Sequence, residues 1–388
     1  MSDTENSVTL VAVGDVVPEF NPASKQFDRV RPILKGADIT FGQNEMSFSA
    51  RGTRQLGEIT LIETSRTQAQ PIMRPRSNDP RLGGKILADA GFSILSYASN
   101  HTMGRSEEGM LDTLEVLKSS NIEVIGCGRN IEEATRPAIM ERKGVKVGFL
   151  AYCSVVPRGQ WATPTRAGVA PMRASTAYEQ LDWQPATPPR IISQANPEDL
   201  AGMVADIKKL RPQVDVLVVS HHWGIHFVPA LIAQYQFEVG HAAIDAGADL
   251  ILGHHAHILK GIEVYKNKVI FYSLCNLELH QSNTAPDTGG RYRTLLDHRF
   301  EVDLDHPNYA FPVDSIKTII VKCTIANNTI QRVAFLPTWI DNEGYPEPLS
   351  RSDPRSDQVC HYMEWLCREA KLDTKFSRED DEVIVLTD

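Results

Sequence analysis

From residue 8 onward, short apolar runs rich in β-branched residues alternate with longer stretches whose apolar positions recur every three or four residues. The short runs predict strands over 8–13, 37–41, 93–98, 123–125, 145–151, 214–220, 250–252, 262–264 and 269–273. The helical spacing falls over 27–34, 81–90, 107–119, 197–209 and 229–246. Strand and helix taken in turn predict an α/β fold, a central sheet covered by helices. Toward the C-terminus the pattern predicts strands over 318–324 and 332–337 and a helix near 357–370.

Three stretches break this rhythm. Residues 49–78 are rich in Thr, Arg and Gln; residues 157–196 are rich in Pro, Trp and Arg; residues 282–312 hold Gly289-Gly290 with many charges and aromatic rings. Long segments without structure of their own are uncommon in compact domains unless they serve function. Each leaves close to a candidate site residue, so they are expected to be loops that shape a pocket. With no internal repeat and no clean linker, the expectation is one elaborated domain over 8–345, with 346–388 as a C-terminal extension packing on it.

Composition narrows the function. Hydrophobic residues make up 42% and charged residues 23%, enough to bury a full core. A net charge of −9 and the lack of a basic face argue against a nucleic-acid partner. Six cysteines, none in a CxxC pair, suit reduced and buried thiols rather than a disulfide frame. No apolar run reaches the roughly 18 residues of a membrane span. The polar, acidic start has neither the basic nor the apolar segment of a signal peptide. A cytoplasmic protein without a membrane partner is therefore expected, its oligomeric state open.

The chemistry concentrates in histidine. Seven of the twelve histidines fall between His221 and His257, five of them in two knots, His221-His222-Trp223-Gly224 and Gly253-His254-His255-Ala256-His257. Each knot directly follows a predicted strand. Ligands of open α/β sheets bind beyond the carboxyl ends of strands, and imidazole is the commonest transition-metal ligand. One such histidine is ordinary packing; five at two strand ends are not, and they point to a metal. His226, His241, His280, His298, His306 and His361 are each read as ordinary. Three more chemical groups follow strands: Asp15 after Gly14, Glu45, and Asn100 with His101. Together they make a mixed nitrogen and oxygen set that suits Mn, Fe or Zn.

The order of these groups resembles a known family. Gly14-Asp15, Gly42-Gln43-Asn44-Glu45, Ala98-Ser99-Asn100-His101, His222-Trp223-Gly224, Asp245-Ala246-Gly247-Ala248-Asp249, Gly253 to His257 and Tyr272-Ser273-Leu274-Cys275-Asn276 stand in its sequence. Over about residues 8–345 the chain resembles the CapA family, named for poly-γ-glutamate capsule synthesis proteins and similar to calcineurin-like metallophosphoesterases. The resemblance implies a four-layer α/β/β/α sandwich with long loop insertions. It also implies metal ligation by Asp15, Glu45, Asn100, His222, His255 and His257, with His254 able to replace His255, and a catalytic role for Asp15 and His101, the latter as acid or charge stabiliser. There are departures. Metallophosphoesterases usually begin Asp-x-His, and Val17 takes that third place; Gln43, Gly104 and Cys275 also differ from the family pattern.

The expected function is a metal-dependent hydrolase, with one or two divalent ions (Mn, Fe or Zn) activating a water. Its substrate would be a small or oligomeric anion with an amide or a phosphoester bond. The alternative is a non-catalytic binding or assembly protein for an anionic polymer such as poly-γ-glutamate. Among the arginines and aromatic residues of the long loops, Arg158, Arg291, Arg293 and Trp161 are the expected substrate contacts, because guanidinium pairs bidentately with carboxylate or phosphate.

Overall fold

The computed structural model describes residues 7–21, 24–51, 79–279, 305–306, 309 and 311–387. Two mixed sheets dominate. The first runs, in spatial order, Lys375–Glu379, Glu382–Leu386, Thr329–Ile340, Lys317–Ala326, Val8–Val17, Ile39–Asn44, Ile94–Ser96 and Glu123–Ile125, with Asn276–Leu279 also pairing on Val8–Val17. The second runs Ile262–Tyr265, Lys268–Phe271, Leu250–His254, Val216–His222, Val145–Cys153 and Ala138–Arg142.

Side-chain alternation along the strands sets the layers, because successive residues point to opposite faces. Val8, Leu10 and Ala12 of the first sheet share one core with Val147, Phe149, Val216, Val218, Leu250 and Leu252 of the second. Val11 and Val13 face the other way, onto Leu34, Leu87, Ala90, Val116 and Leu117 of three helices, Arg31–Gly36, Arg81–Ala90 and Ser106–Ser119. Leu217, Val219 and Ile251 likewise face Met203, Ile207, Val239 and Ala243 of the helices Pro197–Leu210 and Gln234–Ala246. Three cores between four layers make the α/β/β/α sandwich. Among the described residues no helix is long and apolar enough to cross a membrane.

The helix boundaries have local causes. Asn196 caps Pro197–Leu210 by accepting from the backbone of Glu198 and Asp199, with Pro197 in the first turn. The helix predicted from residue 229 begins only at Gln234, where the Gln236 side chain accepts from the Ala233 backbone and closes the first turn. The helix predicted over 27–34 is shifted to Arg31–Gly36, since Pro32 fits only a first turn.

Residues 157–196 are not one loop: they contain the strands Gly168–Val169, Ala174–Glu179 and Arg190–Ala195, the last two paired as an antiparallel hairpin. The stretches 49–78 and 282–312 lie largely outside the described residues, and so do Arg291 and Arg293. Residues 346–388 supply the helix Pro354–Glu369, whose Val359, Met363 and Leu366 enter the core between the sheets, and the last two strands of the first sheet.

Candidate metal centre

Five parallel strands from both sheets end at one edge, and their ends carry the candidate residues. Asp15 lies near the end of Val8–Val17, Glu45 directly after Ile39–Asn44, Asn100 and His101 just beyond Ile94–Ser96, His222 at the end of Val216–His222, and His254 at the end of Leu250–His254. Two close backbone approaches make this possible. A Cβ on Gly14 would lie 2.1 Å from the Cys275 carbonyl oxygen, and one on Gly253 would lie 2.3 Å from that of Tyr272. Only glycine fits at either place.

The side chains then converge. His222 Nε2 lies 3.0 Å from Glu45 Oε1 and 2.8 Å from Asn100 Oδ1. His257 lies 3.3 Å from Asp15 Oδ2 through Nδ1 and 3.6 Å from Glu45 Oε2 through Nε2. The His255 ring stands 4.8 Å from that of His222, centroid to centroid. Ligand atoms of Asp15, Glu45 and His222 all lie within 4.8 Å of one another. Asp15, Glu45, His222, His254, His255 and His257 are all buried.

The structure separates the two neighbouring histidines of the second knot. His254 Nδ1 pairs with Asp15 Oδ1 at 3.2 Å, and its ring packs on Phe41 between the sheets. His255 turns toward His222 instead, in a left-handed backbone conformation (φ 88°) that few non-glycine residues adopt. His257 shares that conformation (φ 54°). Asp15 fastens the whole turn: Oδ2 accepts the His255 backbone N–H at 3.1 Å. His101 is half-buried at the mouth. Its backbone N–H donates to Ser99 Oγ at 3.0 Å, and that hydroxyl donates to Glu45 Oε1 at 3.3 Å.

Electrostatics follow from burying two carboxylates among imidazoles. Burial alone would raise the Asp15 carboxyl, but hydrogen bonds from His254 and His257 outweigh it and hold the group well below the usual carboxylate range. Burial and the Asp15 charge push Glu45 up, while His222 and His257 bring it below its ordinary value. Burial drives His255 well below its ordinary value, helped by the imidazoles around it, so its ring is neutral. Burial also pushes His257 down, yet Glu45 and Asp15 raise it overall.

These residues fit a divalent cation. Glu45 Oε2 and His255 Nδ1 are buried atoms with no hydrogen-bond partner, a costly state that a bound ion would relieve. The donors are carboxylate, amide and imidazole, with no thiolate, as expected for Mn, Fe or Zn. The Val17 side chain belongs to the helix-side core and supplies nothing to the cluster.

The predicted substrate contacts are less concentrated. Arg158 is exposed. Trp161 is half-buried, with the Arg173 guanidinium 5.3 Å above its ring. Sequence reasoning passed over His226 as an ordinary histidine; its ring lies 3.8 Å from that of His255. The faint signal was its place four residues after His222.

Comparison with known proteins places these features in context. The model of the bacterial capsule synthesis protein family PGA_cap matches residues 9–281. The PGA biosynthesis protein CapA of Bacillus subtilis is 28% identical over 330 residues, covering 82% of this chain and 76% of that protein. The capsule biosynthesis protein CapA of Bacillus anthracis is 30% identical over 258 residues, covering 66% of this chain and 54% of that one. Among solved structures, the calcineurin-like phosphoesterase YfkN from Bacillus subtilis aligns over 94% of this chain and 99% of its own, at 12% identity and a TM-score of 0.36.

Proposed function

The chain belongs to the PGA_cap family of bacterial capsule synthesis proteins, and from that premise we propose that it is a metal-dependent hydrolase. Its substrate on this reading is a small or oligomeric anion, cut at an amide or a phosphoester bond. One observation carries the reading: the buried Glu45 carboxylate sits between His222 at 3.0 Å and His257 at 3.6 Å, with Oε2 lacking a hydrogen bond.

Asp15, Glu45, Asn100, His222, His255 and His257 would hold the metal. A divalent ion bound there supplies an acidified water and neutralises charge on the reacting oxygens. The protein's own groups prepare the rest. Asn276 Oδ1, 2.7 Å from His257 Nδ1, keeps the proton on that nitrogen and leaves the Nε2 lone pair toward Glu45. Asp15 fixes the turn that carries the histidines. His101, at the mouth and tied through Ser99 to Glu45, is placed to give a proton to a leaving group.

The second reading is that the metal organises a binding or assembly site for an anionic polymer. The names of the relatives favour it: two are capsule or PGA biosynthesis proteins, and a Mycobacterium tuberculosis relative, 30% identical over 183 residues, is called a probable polyglutamine synthesis accessory protein.

Metal analysis of the purified protein, joined to turnover assays on phosphoester and amide substrates, separates the two. We expect bound Mn, Fe or Zn and turnover, both lost in Asp15→Ala and His222→Ala. Bound metal and polyglutamate binding without turnover on either bond class would favour the second reading. Protein that binds neither metal nor substrate would overturn both.

A further inference from the structure

The turn after the strand Val216–His222 is held at several points. The Gly224 N–H donates to the Tyr235 hydroxyl at 2.7 Å, and the Phe227 N–H donates to the Ala256 carbonyl at 3.1 Å. Lys260, buried, donates from Nζ to the carbonyls of Val228 and Leu231, the latter at 3.0 Å. Val228 to Leu231 therefore cannot join the helix that starts at Gln234, and the turn is fixed as a turn.

It carries one side chain with metal-binding chemistry. The His226 ring lies 3.8 Å from His255 and 5.2 Å from His257, nearly parallel to the latter at 18°. Phe227 packs on His257 beside it, 5.9 Å away. His226 is exposed on its outer side, so it meets the two histidines from the solvent edge of the cluster. His255 Nδ1, on the ring it covers, is a buried atom without a hydrogen-bond partner.

We infer that His226 is a further metal ligand, brought to the mouth of the site by this pinned turn, and that it provides for a second ion. The first strand offers no imidazole two residues after Asp15, because Val17 stands there and packs in the helix-side core. With His226 the cluster has two carboxylates, one amide and four imidazoles, a donor set large enough for two ions. This rests on the proposal that the cluster binds metal at all.

The test uses the full chain, stripped with EDTA, titrated calorimetrically with Mn²⁺ and with Zn²⁺, and with Co²⁺ while its visible absorption is followed. The wild type is expected to bind two equivalents. His226→Ala should retain one and bind the other at least about tenfold more weakly, with a changed Co²⁺ spectrum; His226→Asp, which restores a donor, should recover part of the second. His226 is exposed, so metal-free His226→Ala should melt as the metal-free wild type does. Equal stoichiometry, affinity and spectra in wild type and His226→Ala would overturn this inference and leave the metal site standing. Wild-type protein that binds no ion would overturn the metal site itself.

Discussion

Asn276 and His257 meet at 2.7 Å, Oδ1 to Nδ1, and the Asn276 amide nitrogen donates onward to the Tyr309 hydroxyl at 2.6 Å. Tyr309 in turn donates to the Ser315 carbonyl at 3.0 Å, so the amide cannot turn over without breaking a buried chain. The orientation fixes which nitrogen of His257 carries the proton. Groups that orient a metal-binding histidine this way typically contribute 10–100-fold to affinity, roughly. Asn276→Ala is therefore expected to weaken metal binding by about that factor. Asn276→Asp, which keeps an acceptor at the same place, should lose less. Isothermal titration of the two variants checks the order; equal affinities would remove Asn276 from the site.

The His101 backbone N–H donates to Ser99 Oγ at 3.0 Å, and the half-buried residue stands beside the metal cluster. Its loss should spare metal binding and affect the proton step. His101→Gln is expected to lower kcat by about 10²–10⁴-fold, the usual contribution of a positioned acid. Metal content measured on the same preparation should equal that of the wild type. A fall in metal content parallel to the fall in kcat would reassign His101 to metal binding.

Gly14 is where the strand bearing Asp15 runs against the backbone at Cys275. The neighbouring Asp15 N–H donates to the Cys275 carbonyl at 3.0 Å. A methyl group at Gly14 would lie 2.1 Å from that same oxygen. Neither partner is a side chain that can swing aside, so strand and turn must part. Gly14→Ala is expected to destabilise by about 3 kcal/mol or more, the upper range for overpacking, and to weaken metal binding with it. Urea denaturation gives the first quantity and metal titration the second.

How much of this was legible in the sequence depends on which physical signal each residue carries. Parallel strands buried on both faces are continuous apolar runs, so Val145–Cys153 and Val216–His222 were visible, and so were the polar residues at their ends. One outermost strand of each sheet was not. Lys375–Glu379 is exposed at every other position, and Ala138–Arg142 has only three apolar residues before Glu141 and Arg142, so neither has a long run to detect. The resemblance implied the four layers, and the core residues now display them. Asp15, Glu45, Asn100, His222, His255 and His257 do converge, and the choice between His254 and His255 needed geometry: both follow the same strand, and only the backbone turn at His255 sends one ring to Asp15 and the other to His222. His226 was hidden for a similar reason. Its position depends on Lys260 and Ala256, residues that no local pattern links to it.

Residues 346–388 give a last test, one of architecture. Glu382 sits on the strand that joins the C-terminal hairpin to Thr329–Ile340. It pairs with Lys322 at 2.7 Å and with Arg332. Burial raises the Glu382 carboxyl, but the hydrogen bonds and charges of Lys322 and Arg332 bring it below its ordinary 4.5. A depressed carboxylate stabilises the fold above its unfolded value and stops doing so as pH falls through its folded value. The pair is partly exposed, so its contribution is about 1 kcal/mol. Glu382→Gln should thus be less stable than the wild type by roughly that amount at pH 7. The gap should begin to narrow as pH drops below about 4.5 and close further into acid. Urea denaturation of both proteins at pH 7, 5 and 3.5 reads the gap directly. A gap of constant size would mean that Glu382 acts through packing rather than charge. No gap at any pH would mean that this ion-pair network contributes nothing to holding the last two strands on the first sheet.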